Sequence, residues 1–336
     1  MRLLLVVALV CGCRGASSAG DDVDSGAMGD APDGTGCTAL TPRAMTPETF
    51  IGPTGLEARI GALIDGAQHQ LDVQMYLFTV QTLANKIVAA KQRGVAVRVI
   101  LDPDEAGNNN VEPIFTSGGV TWKNAASIYS FSHAKYLLID HGAAVIMSMN
   151  FNVDAMNNER NYGMVDKDPE DIADLQAIFE QDWALANGQT ATAANLACTR
   201  LIVSPTNSKQ RLIEHINSAT SSLDVEVMYV SETTVRNAIG NAKTRGATVR
   251  VIILDPMDPA VTYFKSLGIP VKTPGPFYLH AKLLLADQVA FIGSENMSFT
   301  SLEKNREVGA LVFEPTAFAP VKQQFETDWS ASTTVP

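Results

Sequence analysis

The chain has 336 residues, of which 46% are hydrophobic and 18% charged, and its formal net charge is −11 at pH 7. This length accommodates two ordinary domains or one large one, and the composition excludes a wholly disordered chain. Proteins that bind phosphate backbones usually carry a basic face, so the acidic balance disfavours nucleic acid as a partner, although a local basic cleft remains compatible with it.

Residues 1–13 predict a secretory signal peptide with a lipobox. Arg2 precedes an apolar run, residues 3–10, which is far shorter than the roughly 20 residues of a membrane-spanning helix. The following Val-Cys-Gly-Cys resembles a bacterial lipobox, in which the cysteine, here Cys13, is acylated. We therefore expect an exported periplasmic or cell-surface lipoprotein with a lipid anchor in the membrane. A plain signal peptide with incidental cysteines is the alternative.

Residues 14–41 predict a flexible acidic linker. They are mostly Ser, Gly, Asp and Ala, and such a stretch buries too little apolar surface to offset the entropy of ordering it. Beyond Cys11 and Cys13, the sequence contains Cys37 and Cys198. An even pair in an oxidising compartment is a disulfide candidate, and two unpaired buried thiols are the alternative.

The rest of the chain contains two similar copies, separated by roughly 150 residues. The matched segments are 71–76 with 223–229, 97–103 with 249–256, and 179–183 with 325–329. Strands rich in Val, Ile and Leu alternate with amphipathic helices, which favours an α/β fold with a mixed sheet flanked by helices in each copy. We predict domains at 42–198 and 199–336, related by a pseudo-twofold axis with one active site between them.

Each copy carries a matched polar cluster on a predicted hairpin. The clusters are His133, Lys135, Asp140, Ser148 and Asn150 in the first copy, and His280, Lys282, Asp287, Ser294 and Asn296 in the second. Strand residues two apart share a face, so each hairpin presents an imidazole, an ammonium, a hydroxyl and an amide together. Both aspartates are grouped with the catalytic histidines and lysines of the motif, but they follow at odd spacing in the turn and are expected to brace it.

Together the two clusters suit a tetrahedral, anionic phosphorus centre. Lysines and amides stabilise phosphoryl oxygens as charge develops, one histidine can attack phosphorus, and the other can protonate the leaving alcohol. The chain has only 5 histidines, so two matched copies are not a coincidence of composition. The histidines lack the spacing of zinc ligands, and we expect neither a metal nor another cofactor.

The duplicated pattern of His-x-Lys, Asp and Ser-x-Asn resembles the phospholipase D superfamily. The Phe and Asp-Trp residues near the end of each copy resemble its bacterial cardiolipin-synthase-like branch. This resemblance implies a phosphohistidine intermediate formed without metal. It also implies that the N-terminal motif supplies the nucleophile, His133, and that His280 acts as acid and then base; the sequence by itself does not fix this order.

Two departures from the family pattern lie in the first copy. Met147 precedes the motif serine, where the second copy has the usual Gly293. The family's Asn-x-Glu stands in the second copy as residues 305–307, but residues 159–161 of the first read Glu-Arg-Asn. Either Glu159 reaches the site from a shifted position, or one histidine lacks the carboxylate that Glu307 represents. The sequence therefore predicts altered support around His133.

These observations favour a monomeric phospholipase D-type phosphodiesterase that cleaves or transphosphatidylates glycerophospholipid head-group esters. Its expected partners are a phospholipid substrate and the membrane. A metal-independent nuclease of the same superfamily is one alternative. A non-catalytic lipoprotein that binds ligand on the same fold is the other.

Overall fold

The computed structural model describes residues 42–336, which belong to one compact unit. The predicted signal peptide, Cys13 with its lipobox, the linker and Cys37 lie outside the described residues. Cys198 is disulfide-bonded. None of the helices within residues 42–336 has the length and apolarity needed to cross a membrane. Below, residues 42–198 are called the first half and residues 199–336 the second half.

The first half builds one mixed sheet covered by helices, with a short 3₁₀ helix at Ala106–Asn110. Its elements in chain order are β1 Glu48–Ile51, α1 Leu56–Gly66, β2 Gln70–Met75, α2 Gln81–Gln92, β3 Ala96–Leu101, α3 Glu112–Ser117, β4 Thr121–Asn124, β5 Lys135–Ile139, β6 Ala143–Met147, α4 Val153–Asn157, β7 Glu159–Arg160, β8 Tyr162–Asp166 and α5 Pro169–Ala186.

The second half repeats this order. Its elements are β9 Leu201–Ser204, α6 Ser208–Ser218, β10 Ser222–Val227, α7 Thr233–Thr244, β11 Thr248–Ile253, α8 Pro259–Ser266, β12 Val271–Thr273, β13 Tyr278–Leu279, β14 Lys282–Ala286, β15 Val289–Gly293, α9 Phe299–Glu303, β16 Glu307–Val312, α10 Pro315–Ala331 and β17 Thr333–Thr334.

The two sheets have the same strand order. The first runs β1-β8-β6-β5-β2-β3-β4, and the second runs β9-β16-β15-β14-β10-β11-β12 with β17 added at its edge. In each sheet three neighbouring strands are parallel and the hairpin strands are antiparallel. Strands β5 and β14 are buried throughout, as expected of apolar strands covered on both faces. The predicted duplicated α/β fold is confirmed.

The apolar core has three parts. One lies between the first sheet and helices α1 to α3, and another between the second sheet and helices α6 to α8. The middle part contains residues of both sheets and of α5 and α10, including Tyr136, Phe179, Leu285 and Phe325. Because this part is shared, burying apolar surface holds the two halves together.

The long helices α5 and α10 carry the matched aromatic pairs that the sequence places four residues apart. The rings of Phe179 and Trp183 stack with centroids 5.9 Å apart, and Phe325 and Trp329 do so at 6.1 Å. Arg98 lies over the first pair and Arg250 takes the same place in the second half. The helix faces predicted to pack therefore do so, each with a guanidinium group over the rings.

The strands of the matched segments 97–103 and 249–256 end before the Asp-Pro step of each segment. In the first half β3 ends at Leu101. There the Asp102 carboxylate turns back to accept the N–H groups of Ser132, at 2.5 Å, and Asp104, at 2.9 Å. In the second half β11 ends at Ile253, before the matching Asp-Pro step. Proline has no N–H group for a sheet ladder, which favours this ending.

Candidate active site

The two lysines of the motifs begin equivalent strands. Lys135 is the first residue of β5 and pairs with Met75 at the end of β2, and Lys282 is the first residue of β14 and pairs with Val227 at the end of β10. The motifs therefore lie at the edge of each sheet where the parallel strands end. That edge is where open α/β sheets usually bind their ligands.

Backbone contacts between the halves bring the motifs together. Strand β13, just before His280, pairs in parallel with β7, and Ser132, just before His133, forms a bridge with Arg306. The His133 N–H group donates to the Arg306 carbonyl at 2.8 Å, and the His280 N–H group donates to the Arg160 carbonyl at 3.1 Å. Each motif histidine is thus held by the backbone of the opposite half, which is the reciprocity that a pseudo-twofold axis requires.

The His133 imidazole is held by a carboxylate from the second half. Its Nδ1 atom lies 2.7 Å from Glu307 Oε2, and the other Glu307 oxygen accepts from the Ser301 hydroxyl at 2.6 Å and from the Asn305 amide at 3.0 Å. Burial by itself would raise the pKa of Glu307, but His133 and Lys135 lower it, so the carboxylate stays ionised. An ionised carboxylate at Nδ1 keeps the proton there and leaves Nε2 free to react.

The His280 imidazole is held by an amide from the first half instead. Its Nδ1 atom lies 3.0 Å from Asn161 Oδ1, and that oxygen also accepts from the Ser148 hydroxyl at 2.8 Å. The Asn161 amide nitrogen donates to Glu159 Oε2 at 3.2 Å, which fixes which end of the amide faces the ring. His280 therefore also carries its proton on Nδ1. The Glu159 carboxylate is farther away, at 3.7 Å from Nδ1.

The prediction of altered support around His133 is wrong, and the reason is that the supporting residues cross between the halves. Glu307 of the regular second copy serves His133, whereas the exchanged residues of the first copy serve His280. Glu159 does approach the site from a shifted position, but Asn161 occupies the place equivalent to Glu307.

Burial and mutual repulsion reduce the basicity of the four cationic groups. Burial, partly opposed by Glu307, lowers the pKa of His133 to about 4. Burial and then Lys282, Lys135 and His133 lower the pKa of His280 well below its ordinary value. Burial lowers the pKa of Lys135 to about 7, and burial and then Lys135 lower that of Lys282. Groups of both halves lower one another's pKa values, so they share one site. An anionic phosphoryl group bound there would raise these pKa values and so favour the protonated, cationic forms.

The ammonium groups are further held by equivalent contacts. Lys135 donates to the His133 carbonyl, and Lys282 donates to the His280 carbonyl at 2.6 Å. Lys135 also lies 5.0 Å from the centroid of the Tyr76 ring, and Lys282 lies 3.3 Å from Met228 Sδ at the equivalent position. Tyr76 and Met228 were not singled out from the sequence. The signal for them was that each directly follows the last residue of the strand that pairs with a motif lysine.

The predicted serines and asparagines contribute mainly to support. The Ser148 hydroxyl accepts the Tyr162 N–H at 3.0 Å, and the Ser294 hydroxyl accepts the Val308 N–H at 3.1 Å. Asn296 donates its backbone N–H to the Ser301 hydroxyl at 2.8 Å. Asn150 is buried, and its side-chain oxygen has no hydrogen-bond partner within residues 42–336. The serines therefore tie the hairpin strands to the strands that carry Asn161 and Glu307.

The departure at Met147 has a packing explanation. In the second half, a Cβ atom on Gly293 would lie 2.4 Å from Glu295 Oε2, because the buried Glu295 side chain folds back over this glycine. Met149 occupies the place of Glu295 in the first half, and both Met147 and Met149 are buried in the outer core. The same Cβ atom would also lie 2.5 Å from the Gly309 Cα atom, so the second half requires glycine here, whereas the Met147 side chain is accommodated in the outer core of the first half.

The motif aspartates lie away from the reacting groups. Asp140 follows the far end of β5, has a φ of 52°, and accepts the N–H groups of residues 68–70 at 2.6 to 2.8 Å. Asp287 has a φ of 51° and accepts the N–H groups of residues 220–222 at 2.8 to 2.9 Å. Both brace the hairpin turn, so their grouping with the catalytic residues of the motif is corrected.

Buried ion pairs between the halves lie behind the site. Arg306 donates to Asp182 of α5 at 2.8 Å, and Arg160 donates to Asp328 of α10 at 3.0 Å. The sequence showed both Asp-Trp steps but not their arginine partners. The repeated arginine in the middle of residues 159–161 and 305–307 was the available signal.

A cavity of about 500 Å³ opens beside His280. It is lined by Asp154, Asn158, Glu159, Met228, Tyr278 and His280. Within residues 42–336, no three His, Cys, Asp or Glu side chains are grouped to hold a metal ion.

The fold and this site define a duplicated phospholipase D-type protein. The family model described as "Cardiolipin synthase, PLD-like domain" matches the chain twice, at residues 60–183 and 212–329. The chain belongs to this family.

Curated relatives agree with this assignment. The chain is 21% identical to cardiolipin synthase 2 of Bacillus anthracis over 82% of its own length and 63% of that protein. It is 23% identical to the cardiolipin synthase of Alkalihalophilus pseudofirmus over 85% of its length and 67% of that protein. The chain thus spans about two thirds of the length of these relatives.

Solved structures share the fold. Phosphatidylserine synthase from Haemophilus influenzae matches with a TM-score of 0.68 and 12% identity, covering 88% of this chain and 89% of that one. Polyphosphate kinase from Porphyromonas gingivalis matches with a TM-score of 0.65 and 16% identity, covering 84% and 50%. At these identities the likeness concerns the fold alone.

Proposed function

We propose that the protein is a phospholipase D-type phosphodiesterase that cleaves or transfers the head-group ester of glycerophospholipids. The observation that carries this proposal is the crossed support of the two histidines: Glu307 of the second half holds His133, and Asn161 of the first half holds His280. Two imidazoles with their Nε2 atoms available, flanked by Lys135 and Lys282, suit nucleophilic attack and proton transfer at one phosphorus centre.

In the proposed reaction, His133 Nε2 attacks phosphorus and forms a P–N bond. The P–O bond to the leaving alcohol breaks, and protonated His280 gives its Nε2 proton to the departing oxygen. Water or an acceptor alcohol then loses a proton to His280 and attacks phosphorus, and the P–N bond breaks. Glu307 offsets the positive charge of the phosphorylated imidazole, and the lysines stabilise the phosphoryl oxygens.

Exposed apolar side chains near the motif edge of the two sheets favour a lipid substrate. Among residues 42–336, six of the seven large apolar side chains that are exposed follow strand ends at the motif edge or precede a motif histidine; only Met45 lies elsewhere. The six are Ile128, Phe131, Val153, Met257, Tyr278 and Phe299. Apolar and aromatic side chains gathered on one face are typical of surfaces that meet a membrane.

The family's relatives support the same substrate class, because cardiolipin synthases and a phosphatidylserine synthase are named for phospholipid products. We also propose that the chain is exported and anchored through Cys13, on the basis of the N-terminal sequence alone. We further propose that it acts as a monomer, because both halves of the site belong to one chain.

The test uses the full-length chain with mixed phospholipid micelles or single-stranded DNA, with a chelator present throughout. We expect release of the lipid head group that persists in chelator and is lost in His133→Ala and His280→Ala. Degradation of DNA with untouched lipid would show a nuclease instead. Binding of lipid without turnover of either substrate would show a non-catalytic module.

A further inference from the structure

The cavity beside His280 differs in charge from the equivalent region beside His133. Helices α4 and α9 occupy equivalent positions, so Asp154, Asn158 and Glu159 of the first half correspond to Thr300, Lys304 and Asn305 of the second. Two carboxylates, those of Asp154 and Glu159, therefore lie beside His280. The equivalent residues of the second half carry no carboxylate and include one lysine, Lys304. The Lys304 ammonium lies 5.7 Å from the Phe299 ring centroid.

The carboxylate of Glu159 has an unused acceptor. The residue is 7% exposed and lines the cavity. Its Oε2 atom accepts from Asn161 at 3.2 Å, while Oε1 accepts no hydrogen bond from any residue within 42–336. Burial raises the pKa of Glu159 above its ordinary value, and the hydrogen bond from Asn161 and then the charge of Lys282 oppose this only in part. A buried carboxylate with a free acceptor beside an open cavity favours a cationic donor as its partner.

The remaining walls of the cavity suit the same kind of ligand. The Tyr278 ring is 48% exposed and lies at the mouth, where its backbone N–H donates to the Asn158 carbonyl at 3.1 Å. Met228 supplies a polarisable, apolar wall. Ammonium groups are attracted both to the faces of aromatic rings and to carboxylates.

We propose that this cavity binds the alcohol portion of the substrate, and that this alcohol carries an ammonium group. The assignment rests on the proposed function, in which His280 protonates the leaving alcohol. When the P–O bond breaks, the alcohol oxygen takes the His280 proton while its ammonium group stays between Asp154, Glu159 and Tyr278. In the second step of the reaction, an acceptor alcohol that carries an amine binds in the same cavity before it attacks phosphorus.

The test compares two phospholipids in otherwise identical vesicles, phosphatidylethanolamine and phosphatidylglycerol, with the full-length chain. We expect kcat/KM to favour the amine-bearing head group by roughly fivefold to tenfold, the effect of one exposed ion pair with a cation–π contact. Asp154→Asn and Tyr278→Leu should each reduce this ratio several-fold. Thr300→Asn, at the position equivalent to Asp154, is the matched control and should leave the ratio unchanged.

A ratio at or below one in the unaltered protein, or a ratio that neither cavity variant changes, would overturn the assignment. A second measurement separates this result from failure of the proposed reaction. In calorimetric titrations of His133→Ala, glycerophosphoethanolamine should bind more tightly than glycerophosphoglycerol, and Asp154→Asn should remove the difference. Such binding, together with no lipid turnover by the unaltered protein, would contradict the phospholipase while supporting the cavity. Equal binding would overturn the cavity.

Discussion

His133 and His280 occupy equivalent positions, and the backbone of the opposite half holds each of them in the same way, but their side-chain partners differ. A carboxylate, Glu307, faces His133 at 2.7 Å, and an amide, Asn161, faces His280 at 3.0 Å. In both halves an asparagine and a glutamate two residues apart bond to each other. The exchanged order in the first half keeps this bond, but it places a neutral amide instead of a carboxylate beside His280.

This difference shows how a duplicated site can give its two histidines different roles. The nucleophile becomes a cationic phosphohistidine, so it gains most from a fixed counterion. The proton donor gains from being a stronger acid, which an amide partner permits because it does not raise the pKa as a carboxylate would. The pairing therefore supports His133 as nucleophile and His280 as acid.

The largest expected effect comes from removing the counterion. Glu307→Gln should lower kcat by about two to three orders of magnitude, because the phosphohistidine loses its compensating charge. Asn161→Ala should lower kcat by only about tenfold, because it removes a neutral hydrogen bond. Steady-state kinetics on one lipid substrate measures both. A loss at Asn161 equal to that at Glu307 would contradict the assigned difference between the histidines.

A smaller effect is expected when the first half is given the order of the second. The double variant Glu159→Asn with Asn161→Glu places a carboxylate at His280 and so raises its pKa. Activity needs His280 protonated and is lost as pH rises through that pKa, so the high-pH limb of kcat/KM should move up by about one pH unit. The matched control, Asn305→Glu with Glu307→Asn, should lower activity at every pH. An unmoved limb in the first variant would argue against His280 as the acid.

The smallest effect on turnover is expected at the motif aspartates. Asp287→Ala removes bonds to three N–H groups and to the Thr220 hydroxyl, so we expect a loss of about 1–3 kcal/mol in the free energy of unfolding with little change in kcat. Urea unfolding and kinetics on the same preparation measure the two quantities. A large fall in kcat with unchanged stability would return Asp287 to the catalytic group.

The pH dependence of that stability follows from the same contacts. Burial alone would raise the pKa of Asp287, but the N–H groups of residues 220–222 outweigh it and lower the pKa to about 2. A carboxyl whose pKa is lower in the folded state stabilises the fold above its unfolded pKa, near 4. This contribution should fall away as the pH drops from about 4 towards 2 and should be absent in Asp287→Ala.

Much of the fold could be predicted from the sequence. The periodicities of strands and helices are local, and the repeat of a whole domain is recognised by comparing the sequence with itself. The matched segments around Leu71 and Leu223 sufficed for the duplicated α/β architecture. The motif residues of the site were also readable from their spacing. Contacts between the halves were not, since no periodicity encodes which half supplies the partner of His133. The crossing of Glu307 and Asn161, and the arginine partners of Asp182 and Asp328, therefore appeared only in three dimensions.

The most direct measurement is to find which histidine carries the phosphoryl group. With a substrate whose leaving group is p-nitrophenolate, the departing oxygen needs no proton, so His280→Ala should still form the covalent adduct but turn it over slowly. Mass spectrometry of the quenched full-length variant should then find the phosphoryl group on His133, and His133→Ala should form no adduct. A phosphoryl group on His280 in His133→Ala, with none on His133 in His280→Ala, would contradict the assignment.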